Sequence, residues 1–228
     1  MKLHLDRDAF DVFIENIHER CSYRSDVLEK DYYVVLILEE LAKFQKENGL
    51  PAYFKGGTAL YKALRMTNRF SEDIDLSVDT RGMSRSQNDK KLSDATKKYT
   101  VLPREEGITH RSEVITTYIY EPVTNYDTDD SLQRFGRVKI EATSFTIGEP
   151  VTSMEIAPLI YELATDEEKR MLKKAAWYSN FMDKRIYLCL AHMSGKEQAF
   201  IKEAFDTNWV VPLGPNVNAF EDELKHFV

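Results

Sequence analysis

The residues best suited to chemistry are Asp73 and Asp75, two apart in Ser71-Glu72-Asp73-Ile74-Asp75-Leu76, and the turn Lys55-Gly56-Gly57-Thr58 ahead of them. Carboxylates at i and i+2 of a strand point to one face of a sheet. A hard divalent cation that bridges nucleotide phosphates needs such oxygen ligands. The glycines let backbone N–H groups approach a phosphate, and a helix start just behind them favours negative charge. This combination points to metal-dependent phosphoryl or nucleotidyl transfer. Thr58 also has a reading as a helix N-cap, which is compatible with phosphate contact. Lys55 and Arg69 bracket the pair and are either phosphate contacts or surface charges.

Two-metal sites generally draw a third carboxylate from a neighbouring strand. The run Lys139-Ile140-Glu141-Ala142-Thr143 offers Glu141, alternating with apolar neighbours on a strongly β-like segment. Asp73, Asp75 and Glu141 are therefore the expected ligands of Mg²⁺ or Mn²⁺, with an NTP as substrate. A D-x-D pair on its own more often marks a solvated turn. The Gly-Gly-Thr turn before it and the Lys-Ile-Glu run after it reverse that weighting.

The elements that must carry these residues follow from patterning. Phe10, Phe13, Ile14 and Ile17 recur at helical spacing behind Asp6 or Asp8. A longer helix opens at Ser25 or Asp26 and stops near Gly49-Leu50-Pro51. Residues 52–55 and 73–78 read as strands, with a short helix over 58–65 between them. Residues 79–107 read as a polar surface excursion with one helix near 90–99. Runs 114–120 and 137–145 read as adjacent strands of one sheet. Beyond Pro150 the pattern predicts helices over 155–163, 166–178, 181–193 and 196–205, then an irregular segment over 209–218. The expected fold class is α+β: a mixed α/β catalytic domain over 1–150 and a helical C-terminal domain over 151–228.

Bulk properties fit an ordinary globular chain of 228 residues, 43% hydrophobic and 30% charged. A net charge of -7 argues against a nonspecific nucleic-acid coat, though not against a local basic patch. Cys21 and Cys189 form no metal or redox motif, and a reduced, cytoplasmic protein is expected. No signal peptide or membrane-spanning segment is apparent, so no membrane partner is expected.

Lys55-Gly56-Gly57-Thr58-Ala59-Leu60 together with Arg69-Phe70-Ser71-Glu72-Asp73-Ile74-Asp75-Leu76 resembles the AbiEii/AbiGii family of nucleotidyltransferase-like toxins, which includes the MenT toxins. Leu28-Glu29-Lys30-Asp31-Tyr32-Tyr33-Val34 also looks like that family's entry helix, and the resemblance runs over roughly residues 25–206. It implies a polymerase-β-like nucleotidyltransferase fold, a small mixed sheet with a helical C-terminal part. It implies the toxin of a type IV toxin–antitoxin or abortive-infection system, with a cognate antitoxin as partner. The implied reaction moves a nucleotide from an NTP to an RNA, in some relatives the tRNA 3′ end, or to a protein. In this resemblance Gly57 and Thr58 fill the nucleotide-binding motif and Asp73 and Asp75 the acidic motif. Lys184 takes the place of a helix lysine that contacts phosphate. Asp206 takes the place of the acid of an Arg-x-x-Tyr-Asp pattern whose arginine is absent here. That departure gives the alternative reading, a catalytically impaired nucleotide- or RNA-binding module.

Overall fold

The computed structural model describes residues 2–62, 70–97, 100, 102–110, 112–124, 135–144, 151–175, 185–189, 199, 202 and 206. Helix α1 (Arg7–His18) starts where the Asp6 side chain accepts from the Ala9 backbone N–H, and it buries Phe10, Ile14 and Ile17. Helix α2 (Ser25–Asn48) buries every residue from Leu28 to Glu39. The apolar run Tyr32–Leu38 covers every side of the helix, which places that stretch inside the domain rather than on its surface. The helix ends at Gly49, whose φ of 59° is the left-handed C-terminal stop that the sequence signals.

The chain then enters β1 (Ala52–Lys55), α3 (Gly56–Lys62) and β2 (Ile74–Val78). It continues through α4 (Arg85–Lys97), β3 (Arg104–His110), β4 (Glu113–Ile119) and β5 (Arg137–Ser144). The remaining elements are β6 (Val151–Glu155), α5 (Leu159–Glu162), α6 (Asp166–Lys174) and β7 (Arg185–Cys189). The seven strands form one mixed sheet in the order β3-β4-β5-β2-β1-β7-β6. The β2–β5 and β1–β7 pairs are parallel, and the other neighbours are antiparallel. The α+β class and the mixed sheet are as expected.

One face of the central strands is the core. Phe54, Ile74, Leu76, Val78, Val138, Ile140 and Ala142 are all fully buried. Helix α4 packs against β2, β4 and β5, where the Tyr118 hydroxyl donates to the Thr96 carbonyl at 2.7 Å. Helix α2 packs against β5, β7, α1 and α5. Because side chains alternate along a strand, burial of this face turns Lys55, Asp75 and Glu141 to the other one.

Several expectations require correction. The segment over 181–193 read as a helix contains strand β7, which lies parallel to β1 with Phe54 opposite Leu188. A short apolar run has no period that separates a buried strand from a helix, and here sheet pairing decides. Strand β6 likewise occupies 151–155, at the start of the part read as helical, and pairs with β7. Helix α6 ends at Lys174 rather than 178, with a capping box between Thr165 and Glu168 at its start. The polar run Arg104–His110 is an edge strand, not part of a surface excursion. An edge strand buries little, so it lacks the apolar alternation that reveals central strands. Where β3 shifts register between Glu106 and Thr109, a Cβ on Gly107 would stand 2.1 Å from the Ile115 carbonyl oxygen.

The chain divides into two compact units, Met1–Leu190 and Ala191–Val228. In the second unit the described residues 199, 202 and 206 are helical, and Lys202 Nζ pairs with Asp206 Oδ2 at 2.6 Å. Among the described residues no helix is long and apolar enough to cross a membrane.

Candidate active site

Register places the carboxylates side by side. Asp75 on β2 lies opposite Lys55 on antiparallel β1 and opposite Glu141 on parallel β5. Residues paired across neighbouring strands share a face, so Lys55, Asp75 and Glu141 form one row across the sheet. Asp73 precedes the first residue of β2 and sits at the mouth of that row, with its Oδ2 2.9 Å from Lys139 Nζ. Lys139 is two residues from Glu141 on β5 and so shares its face. Glu113 on β4, opposite Thr143 of β5, brings a further carboxylate to Glu141.

These charges act on one another. Burial, and then the charge of Asp73, raise the Asp75 carboxyl above the usual range, against the opposing pull of Lys139 and Lys55. Burial, then the charges of Asp75 and Glu113, raise Glu141. The hydrogen bond to Asp73 holds the proton on Lys139. Crowded carboxylates resisting ionisation are the arrangement that a divalent cation relieves, and their oxygens are hard ligands. The donor chemistry therefore fits Mg²⁺ or Mn²⁺. Among the described residues no three Asp, Glu, His or Cys side chains are gathered into a ligand set. The Asp73 carboxylate is instead turned onto Lys139.

The Gly-Gly-Thr turn is built tightly against this row. Gly56 has φ 77°, and a Cβ there would stand 2.2 Å from Asp75 Oδ2. The glycine thus lets the start of α3 rest on the carboxylate. Thr58 does not cap the helix: it is the third residue of α3, and its Oγ1 lies 2.9 Å from Ser71 Oγ. Lys55 Nζ donates to Thr143 Oγ1 at 2.8 Å, within the same face. The structure brings Lys55, Gly56, Gly57, Thr58, Asp73, Asp75 and Glu141 together. Arg69 and Lys184 lie outside the described residues, and Asp206 belongs to the second unit.

Residues 36–227 match the family described as nucleotidyl transferase AbiEii toxin, type IV TA system. The chain belongs to the AbiEii family. Among solved structures it is similar to MenT4, a nucleotidyltransferase toxin from Mycobacterium tuberculosis H37Rv, at 13% identity and a TM-score of 0.44. That match covers 80% of this AbiEii-family chain and 54% of MenT4, so the chain spans about half of that protein's length. A 47-residue stretch, 21% of the chain, is 60% identical to the putative pyridoxal phosphate-dependent aminotransferase EpsN of Bacillus subtilis (strain 168), of which it spans 12%.

Two consequences for this AbiEii-family site are measurable. In Gly56→Ala the left-handed backbone costs about 1–2 kcal/mol, and the new methyl group displaces the Asp75 carboxylate. Denaturation should show that modest loss; a Gly56→Ala chain as stable as wild type would mean that the turn does not press on Asp75. The second consequence concerns pH. The raised Asp75 carboxyl contributes stability below the ordinary carboxylate range that is lost as pH rises through its raised pKa. Asp75→Asn should therefore raise Tm at pH 7.5, by roughly 2–4 °C, and the gain should vanish under acid. Thermal scans at both pH values check the sign.

Two residues of the site escaped sequence reasoning. Lys139 was within reach, because period-two alternation from Glu141 puts it on the same face. Glu113 was not, since only the β4–β5 register brings it near.

Proposed function

We propose that the chain transfers a nucleotide from an NTP to a hydroxyl acceptor, the tRNA 3′ end being the favoured one, as a toxin restrained by a cognate antitoxin in the cytoplasm. The observation that carries this reading is the row Lys55–Asp75–Glu141, with Asp73 at its mouth and Gly56 pressed against Asp75. A Mg²⁺ or Mn²⁺ ion held by Asp73, Asp75 and Glu141 would supply Lewis-acid neutralisation of the triphosphate.

The chain's own groups do the rest. The first turn of α3, Gly56-Gly57-Thr58, offers the triphosphate backbone N–H groups that have no partner within the helix. Lys55, at the edge of the row, supplies positive charge. Glu141 binds a proton more readily than an ordinary carboxylate, which suits a general base. It takes the proton of the acceptor hydroxyl, whose oxygen bonds to the α-phosphorus. The bond from the α-phosphorus to the bridging oxygen breaks, and pyrophosphate leaves. Lys184, Arg69 and Asp206 complete the proposal as two phosphate contacts and the acid of the C-terminal motif.

Four α-labelled NTPs, each incubated with total tRNA and Mg²⁺ or Mn²⁺, test the acceptor and the base. The expected outcome is label on tRNA from one NTP above the others. No label from any of the four, with either metal, would favour the binding-module reading.

A further inference from the structure

The segment that delivers the first carboxylate to the site has no helix or strand of its own. Residues 70–73 precede β2 as irregular chain, yet each is held from outside. The Phe70 ring stands edge-on to Tyr61 of α3, with centroids 5.9 Å apart. Ser71 is bonded to Thr58 of α3, and Asp73 is paired with Lys139 of β5. Glu72 is paired with Lys30 of α2 at 3.2 Å, and this contact differs in kind from the others.

Lys30 is 2% exposed, in the second turn of the buried helix α2. Burying an ammonium there is costly unless it is paired with a carboxylate. The pair joins the buried helix directly to the segment ahead of β2. The neighbours of Lys30 act in the same way. Glu29 accepts from the backbone N–H groups of Val123 and Thr124, and Asp31 accepts from Lys62 Nζ and the Leu159 N–H. Three consecutive charged residues of one helix thus fix four separate stretches of chain, at residues 62, 72, 123–124 and 159.

We infer that Lys30 is a positioning residue for the carboxylate site: through Glu72 it fixes the approach of the 70–73 segment and hence the place of Asp73. This rests on the reading of Asp73 and Asp75 as a divalent-metal site. Glu72 acts here as a tether and not as a ligand. A partner bonded directly to a metal ligand typically changes metal affinity by about 10- to 100-fold when removed; Lys30 acts one residue away, through Glu72, so the lower end of that range is expected.

The experiment uses the full chain and Mn²⁺ as probe, with affinity read by titration and the metal-free protein followed by amide hydrogen exchange. Variants K30M and E72A should each weaken Mn²⁺ binding by about 10-fold and speed exchange over residues 70–75, and K30R should restore most of both. The double variant K30M/E72A should bind no more weakly than either single one. If K30M does not fold, E72A decides by itself: weakened binding with faster exchange supports tethering, and weakened binding with unchanged exchange makes Glu72 a ligand and overturns it. Loss of binding in D75A with wild-type binding in K30M and E72A overturns the positioning role alone. Wild-type binding in D75A overturns the site reading beneath it.

Discussion

Replacing Asp75 with Ala should lower nucleotide incorporation on the order of 10³-fold while leaving the fold intact. Asp75 is the centre of the row, opposite both Lys55 and Glu141, and it lies against Gly56 at the start of α3. Its removal takes away the carboxylate that stands between Lys55 and Glu141. The core face of β2, built from Ile74, Leu76 and Val78, is untouched by the change. The raised Asp75 pKa adds that this carboxylate costs the fold stability at neutral pH, so its loss should not unfold the chain. Turnover measured beside a thermal scan separates the two effects. Retained turnover in a folded D75A chain would remove the row from the chemistry.

The largest expected effect on stability belongs to Lys62→Met. Lys62 Nζ lies 2.7 Å from Asp31 Oδ1, with side-chain exposures of 3% and 1%. Removing one partner leaves a buried charge uncompensated, which costs about 3–5 kcal/mol. For a chain of this size that corresponds to a fall in Tm of roughly 6–20 °C. The double variant D31N/K62M removes both charges and keeps an amide oxygen to accept from the Leu159 N–H, so it should recover most of the loss. Chemical denaturation of the three chains checks this. A K62M chain within about 1 kcal/mol of wild type, the worth of a surface pair, would mean that the pair is solvated.

What the sequence revealed follows physical range. The Gly-Gly-Thr turn and the Asp73–Asp75 pair were legible because their spacing acts within a few residues, through strand alternation and glycine's freedom. Glu141 was legible because its alternation with Ile140 and Ala142 marks the site face of β5. Register was not legible. That Asp75 stands opposite Glu141, and that Glu113 joins them, depends on pairings between strands that lie tens of residues apart. Strand β7 was misread because its five residues carry no period able to exclude a helix. The polar edge strand β3 was missed because only one side of it has a partner. Lys30 had no separate role in the sequence beyond its place in the Leu28–Val34 run, and burial on every side of α2 is what gives it meaning.

The most direct test of divalent-metal-dependent nucleotidyl transfer compares one NTP labelled on the α-phosphate with the same NTP labelled on the γ-phosphate. Each is incubated with the wild-type chain and total RNA, with Mg²⁺ and with a chelator. Acceptor-bound label is expected from the α-position alone, in Mg²⁺ alone, with γ-label released as pyrophosphate. Label transferred from the γ-position, or α-transfer that persists in chelator, would contradict it.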